Sequence, residues 1–178
     1  MANYHRNMHH PRQISTGSGP RVNSQYRLAT ADDAPRLIAM INAAFSIEEF
    51  LEGTRTDAVR LAAMMAKGSI LMAEDGAGNL LGSVYFEHRG PRGYLGMLAV
   101  DPVRQGQGIA RRLMEQAEEY LRQAGCNEVE IIVLNMRPEL LPIYRRMGFV
   151  DAGTMDFKPS RPLKPGVEVH GIIMVKKL

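Results

Sequence analysis

The chain has 178 residues, enough for one domain around one sizeable hydrophobic core. Apolar residues make up 45%, which excludes a disordered chain, and no run of 18 apolar residues suggests a transmembrane helix. The net charge of +3 belongs to the N-terminal tail: residues 1–25 carry Arg6, Arg12, Arg21 and no acid, and the rest balances 19 bases with 19 acids. Nucleic-acid binding by the folded part therefore has no bulk electrostatic support.

The N-terminus has no apolar segment of the kind a secretory signal needs. Cys126 is the only cysteine, so no intramolecular disulfide can form, and a reducing, cytoplasmic setting fits. His5, His9 and His10 fall in the first ten residues, and His88 and His170 stand alone, so no metal site is expected.

Met1 to Gln25 is polar, with Gly17, Ser18, Gly19 and Pro20 near its middle, and reads as a disordered extension. The domain is expected over residues 26–178. Tyr26 to Ala29 reads as a short strand. Thr30 or Asp32 then caps a helix with Leu37, Ile38, Ile41, Ala44 and Phe45 at helical spacing. A second helix spans about Asp57 to Lys67 and stops at Gly68. Strands follow at Ile70 to Glu74 and Leu80 to His88, joined by the turn Asp75-Gly76-Ala77-Gly78-Asn79. After the turn Gly90 to Gly93, Tyr94 to Val100 is a continuous apolar strand, expected to be buried on both faces.

The next helix is the clearest element. Ile109, Leu113, Ala117, Leu121 and Ala124 recur every three or four residues, and Arg111, Arg112, Glu115, Glu118, Glu119 and Arg122 take the other side. Glu118 and Arg122 form an i,i+4 pair. Glu128 to Leu134 is a strand. Pro138 to Met147 is a short helix, made irregular by Pro142. Phe149 to Phe157 and Val167 to Val175 are the last strands. Strands interleaved with helices indicate a mixed α/β or α+β sheet with helices on both faces.

Strand, glycine turn and helix meet between Val100 and Arg111. The first amides of a helix lack internal partners, and the helix dipole places positive potential there. Gly106 and Gly108 permit backbone angles and approach that a β-carbon would block, and Arg104, Arg111 and Arg112 add charge. That is a recipe for binding phosphate. An ordinary strand-to-helix turn would also carry glycines. A dinucleotide turn needs a third glycine, where Arg111 stands, and a triphosphate loop needs a Gly-Lys-Ser/Thr that does not follow.

Val100-Asp101-Pro102-Val103-Arg104-Gln105-Gly106-Gln107-Gly108-Ile109-Ala110-Arg111 closely resembles the acetyl-CoA signature of the GNAT acetyltransferase superfamily, an Arg/Gln-x-x-Gly-x-Gly/Ala met by Gln105, Gly108 and Ala110. Ile143-Tyr144-Arg145-Arg146-Met147-Gly148-Phe149 resembles its second signature, Leu-Tyr-x-x-x-Gly-Phe. The likeness covers Tyr26 to Leu178 and is strongest from Tyr94 to Phe149. It implies a mixed, mostly antiparallel sheet of six to seven strands and an acyltransferase of the N-acetyltransferase kind. The acetyl group would pass from acetyl-CoA, a co-substrate, to a primary amine of a small molecule, amino acid or peptide, by direct attack in a ternary complex. No metal, nucleic acid or membrane is implied, and homodimers are common in families of this kind. The different-class alternative is a CoA-binding sensor or interaction module without turnover.

By that resemblance, the pyrophosphate falls to Gln105, Gly106, Gln107, Gly108, Ile109, Ala110 and Arg111, and the pantetheine arm to the backbone of Leu98, Ala99 and Val100. Tyr144 matches the tyrosine that protonates the departing sulfur. A phenol of ordinary pKa near ~10 is protonated at neutral pH and suits that role. The base has no clear match: Tyr94 stands where histone-type members carry a carboxylate. Glu87, Glu130, Glu168 and His170 remain candidates, the last two on one face of a strand. Asn135 is unassigned, with Arg137 nearer to the family's cofactor-binding asparagine. Two acceptor clues oppose each other. Glu48, Glu49 and Glu52 lie where the family often places an acceptor-binding wall and would there attract a cationic amine, or else form a solvated helix face, whereas Lys158, Arg161 and Lys164, among Pro159, Pro162 and Pro165, would contact an acidic acceptor or simply join two strands.

Overall fold

The computed structural model describes residues 24–159 and 161–178. The expected extension over residues 1–25 lies, up to residue 23, outside the described residues. In chain order the elements are β1 Gln25–Leu28, α1 Ala34–Ala44, α2 Ala58–Met65, β2 Ser69–Glu74, β3 Leu80–Arg89, β4 Arg92–Val100, α3 Ile109–Gln123, β5 Glu128–Leu134, α4 Leu141–Arg146, β6 Val150–Asp156 and β7 His170–Lys177. The seven strands form one sheet in the order β1-β2-β3-β4-β5-β7-β6. Every neighbouring pair is antiparallel except β4 and β5. Parallel neighbours need a crossover, and α3 supplies it. The sheet is mixed and mostly antiparallel, as expected.

Helices cover both faces. On one face, Leu37 and Ile41 of α1 and Leu61 of α2 pack on Met72, Tyr85 and Ala99. On the other, Leu113, Ala117 and Leu121 of α3 pack on Leu71, Val84, Leu95 and Val129. The 3.6-residue period of α3 makes this stripe possible. Glycines let the helix sit close to the strands: a β-carbon at Gly82 would lie 2.8 Å from the Ala99 carbonyl oxygen and 3.1 Å from Leu113.

Local chemistry sets the helix starts. A single 3-10 turn, Ala31–Asp33, leads into α1, and the Thr30 amide donates to the Asp33 carboxylate at 2.8 Å. Hydrogen bonds from Arg27 hold that carboxyl well below its usual range. Asp57 caps α2 by accepting from the Arg60 amide at 2.9 Å. Before α4, Pro138–Leu140 forms another 3-10 turn. Pro142 sits in the first turn of α4, where its missing N–H costs nothing.

Three expectations need correction. Glu118 is not on the outer face of α3 and does not pair with Arg122. It is buried and accepts from Lys176 of β7 at 2.7 and 2.9 Å, and Arg122 pairs with Glu119 instead. A salt bridge to the sheet has replaced a local one because β7 runs within reach of that helix flank. Second, β7 begins at His170, so Glu168 lies in the preceding loop and shares no strand face with His170. Third, β4 is not buried throughout. Gly96, Met97 and Leu98 are half-exposed where the edge facing β5 opens and the strand departs from regular pairing with β3, whereas Ala99 and Val100 beyond them are buried again.

The contact between β3 and α3 should be intolerant of added volume. Gly82→Ala is expected to cost about 1–3 kcal/mol in chemical denaturation, because the nearest obstacle is a backbone oxygen that cannot swing away.

Candidate active site

β4 and β5 pair only from Arg92 to Leu95 and from Glu128 to Ile131. Past that point β5 continues against β7 up to Leu134, and β4 continues against β3 up to Val100. The facing edges of the two strands therefore part, and Gly96 to Val100 has a strand on one side only. A bulge marks the same place. Ser83 faces Ala99 and Tyr85 faces Gly96, so Met97 and Leu98 together oppose Val84. Met97 has φ +48°, the only non-glycine positive φ among the described residues.

The turn after β4 is built from the expected residues. Asp101 accepts from the Val103 amide at 3.1 Å and closes a short 3-10 turn over Pro102–Arg104. The Gln105 side chain reaches back to the Val100 carbonyl at 3.5 Å. Gly106 and Gly108 have φ +76° and +74°, with nothing nearer to a β-carbon than 3.5 Å. The first backbone bond of α3 runs from the Arg112 amide to the Gly108 carbonyl at 3.1 Å. The amides of Ile109, Ala110 and Arg111 precede it and have no acceptor within the helix. Ile109 is buried and anchors the turn on the core. The Arg112 guanidinium bonds the Gln107 carbonyl at 3.0 Å, and Arg111 pairs outward with Glu115 at 2.8 Å.

Tyr144 lies on α4 with its ring edge-on to buried Phe149 at 5.9 Å. Gly148, at φ +94°, lets the chain reverse there, and the Phe149 amide bonds the Tyr144 carbonyl at 3.1 Å. Burial pushes the Tyr144 phenol up to about 12, with Arg137 pulling it down and Tyr94 adding to the rise. Tyr144, Tyr94 and Arg137 are thus electrostatic neighbours. Tyr94 folds back along β4, its hydroxyl 2.6 Å from where a Gly96 β-carbon would stand. Strand β4 therefore links the two signatures: the turn touches it at Val100, and Tyr144 senses it at Tyr94.

The base candidates fare differently. Glu87 accepts from Arg89 at 3.0 Å and from the Tyr85 hydroxyl at 2.9 Å, and the Arg89 hydrogen bond lowers its pKa. Glu130 is tied to Arg92 at 3.2 Å, and Glu168 and His170 are exposed. The Asn135 side chain accepts from the His170 amide at 2.9 Å and donates to the Glu168 carbonyl at 3.3 Å, so it fastens the loop before β7.

The two acceptor clues meet in space. The Glu52 amide bonds the Pro162 carbonyl at 2.9 Å, the Lys164 amide bonds the Phe50 carbonyl at 3.1 Å, and Arg161 donates to the Gly53 carbonyl at 2.7 Å. Glu48 is buried between the loops, where Arg55, Arg137 and Arg161 surround it at 3.1, 3.5 and 3.6 Å. Glu49, Glu52, Lys158 and Lys164 are exposed. Beside this cluster lies a cavity of about 270 Å³, with Leu51, Arg55, Arg60, Met97, Phe157 and Arg161 in its wall.

The family model for the acetyltransferase (GNAT) family matches residues 34–149, which hold the parted strands, the turn and Tyr144. The chain belongs to the GNAT family. It is 31% identical over 142 residues to a mycothiol acetyltransferase of Propionibacterium freudenreichii subsp. shermanii, covering 73% of this chain and 45% of that one. It is 32% identical over 108 residues to glucosamine 6-phosphate N-acetyltransferase 1 of Oryza sativa subsp. japonica, covering 56% of this chain and 64% of that one. The chain thus spans less than two thirds of either relative. The structure of yncA from Salmonella typhimurium, solved with its cofactor acetyl-CoA, superposes with a TM-score of 0.67 at 17% identity. The match covers 88% of this chain and 94% of that one, and it supports the GNAT fold. No helix among the described residues is long and apolar enough to cross a membrane.

Three parts of this GNAT site carry no signal in the sequence: the bulge at Met97, the placement of Arg55, and the burial of Glu48 among arginines. Each depends on residues far apart in the chain, and only the sign of each charge is visible locally. The turn offers a direct check. Gly106→Ala and Gly108→Ala should each lose about 1 kcal/mol in urea denaturation, through the positive φ alone, since neither β-carbon meets a close atom.

Proposed function

We propose that this chain transfers an acetyl group from acetyl-CoA to a primary amine of a small molecule, amino acid or peptide, by direct attack in a ternary complex. The observation that carries this reading is the unpaired edge of β4, which leads straight into a turn rich in free helix-start amides. A pantetheine arm carries amide groups and can pair with the backbone of Leu98, Ala99 and Val100 as a neighbouring strand would. The pyrophosphate then falls on the turn Gln105 to Arg111, where amides and the α3 dipole favour an anion.

The reaction makes three demands. The thioester oxygen becomes negative and needs a donor, and an amide of the open β4 edge suits it. The departing thiolate needs a proton, which Tyr144 holds. Its raised pKa keeps the phenol protonated throughout the physiological range. Proton donation is costlier from so weak an acid, and Arg137 beside it offsets part of that cost by favouring the phenolate. The amine must lose a proton as it attacks. Among the base candidates, Glu87 lines a cavity together with Tyr85, Tyr94 and Lys67.

Tyr144→Phe is expected to lower kcat roughly 100-fold with acetyl-CoA affinity nearly unchanged. Free-thiol release over a panel of amines, beside calorimetric titration of CoA, measures both. Unchanged turnover would remove Tyr144 from the acid role, and CoA binding without thiol release from any amine would favour a binding module. The pH profile gives an independent reading. A group with a raised pKa keeps its proton as pH rises, so kcat should show no alkaline loss from Tyr144 until the pH nears the phenol's value of about 12. An alkaline limb well below that value that vanishes in Tyr144→Phe would contradict this assignment.

A further inference from the structure

Glu48 cannot serve a cationic acceptor. Its side chain is 4% exposed and three guanidiniums already face it. The charge around it is unbalanced in the other direction. Of the three, Arg137 has a second acid, Glu139, at 2.5 Å. Arg55, Arg137 and Arg161 thus share the two carboxylates of Glu48 and Glu139. The titratable side chains in the cavity wall are Arg55, Arg60 and Arg161, all of one sign.

Two of these arginines are fixed in advance. Arg55 stacks over the Phe45 ring at 4.6 Å and bonds Glu48 and the Met97 sulfur at 3.1 Å each. Arg161 is held through Nη1 by the Gly53 carbonyl, with its side chain 5% exposed. Its Nη2 is buried, stands 3.6 Å from Glu48, and has no hydrogen-bond partner among the described residues. That long ion pair to a carboxylate already shared with Arg55 and Arg137 leaves much of the Arg161 charge unmatched, and an unmatched charge at this depth favours an anionic partner. Burial and the neighbouring Arg55 both lower the Arg161 pKa, and Glu48 does not outweigh them.

Met97 connects this cavity to the chemistry. It lines both the arginine cavity and the adjoining one, of about 310 Å³, that holds Tyr94 and Glu87. It is also the bulge residue on the open edge of β4.

We infer that the acceptor is a small amine carrying a carboxylate or phosphate, whose anionic group docks on Arg55 and Arg161 while its amine passes Met97 toward the open edge of β4. This inference rests on the acetyl-transfer reading above. The volumes suit an amino acid or a phosphorylated amine, and the guanidiniums of Arg55 and Arg161 in the cavity wall supply the positive charge for its anionic group.

The test compares matched acceptors that differ only in the anion: amino acids against their amides, and phosphoethanolamine against ethanolamine. Calorimetric binding to the CoA-loaded full chain is measured beside acetyl-transfer rates. The anionic member of at least one pair should bind and react roughly tenfold better or more. Arg161→Gln should collapse that ratio and Arg161→Lys should restore part of it, whereas a merely structural role would lower both members alike. Thermal melts establish that the variants fold. Equal binding within every pair, or no binding by any anionic member, would overturn the inference. Failure of CoA to bind would instead overturn the acetyl-transfer reading, and the two outcomes are read separately.

Discussion

β4 is paired along one edge only from Gly96 to Val100, and the rest of the site depends on that. Backbone N–H and C=O groups at the edge of a sheet need partners, from water or from a ligand. A parallel neighbour that separates after four residue pairs leaves a wedge with one wall of unused backbone. The bulge at Met97 and Leu98 bends that wall, and the crossover helix α3 begins shortly after it ends. Under the acetyl-transfer reading, the cofactor completes the sheet in the wedge and rests its phosphates on the start of α3. Tyr144 then needs only to reach the same wedge from α4, and the influence of Tyr94 on its phenol supports that placement.

Charge is arranged as economically as backbone. The loops before α2 and before β7 each carry a local excess of one sign, and they meet across the bridge Leu51–Leu163. The acid sits inside and the arginines face the cavity, so the surviving sign is positive. Buried ion pairs of this kind add little net stability, because desolvation offsets their attraction. Their effect is to hold guanidiniums in place before a ligand arrives, which lowers the cost of ordering them at binding.

The fold was legible where local rules govern it. The period of α3 and the β-branched run of β5 place their elements within a residue or two, because burial of one face requires that pattern. The glycine turn was legible because positive φ selects glycine, and Gly106, Gly108 and Gly148 all have it. Met97 gave no signal, because a bulge imposes positive φ on a residue that does not favour it, and no neighbour in sequence marks the place. The burial of Glu118 is not legible in the sequence because helical spacing gives the angle of a side chain but not what stands opposite, here Lys176. Glu48 and Arg161 read as opposing clues for the same reason: sequence gives signs, and only the fold says which charges cancel.

Amide hydrogen exchange with and without CoA reads the open edge and the turn together. The amides from Ile109 to Arg111 lack helical acceptors and should exchange fast in the free protein, then slow markedly when CoA binds, together with those of Leu98 to Val100. CoA binding that leaves both segments unprotected, or protects a different part of the sheet, would contradict a cofactor seated against β4.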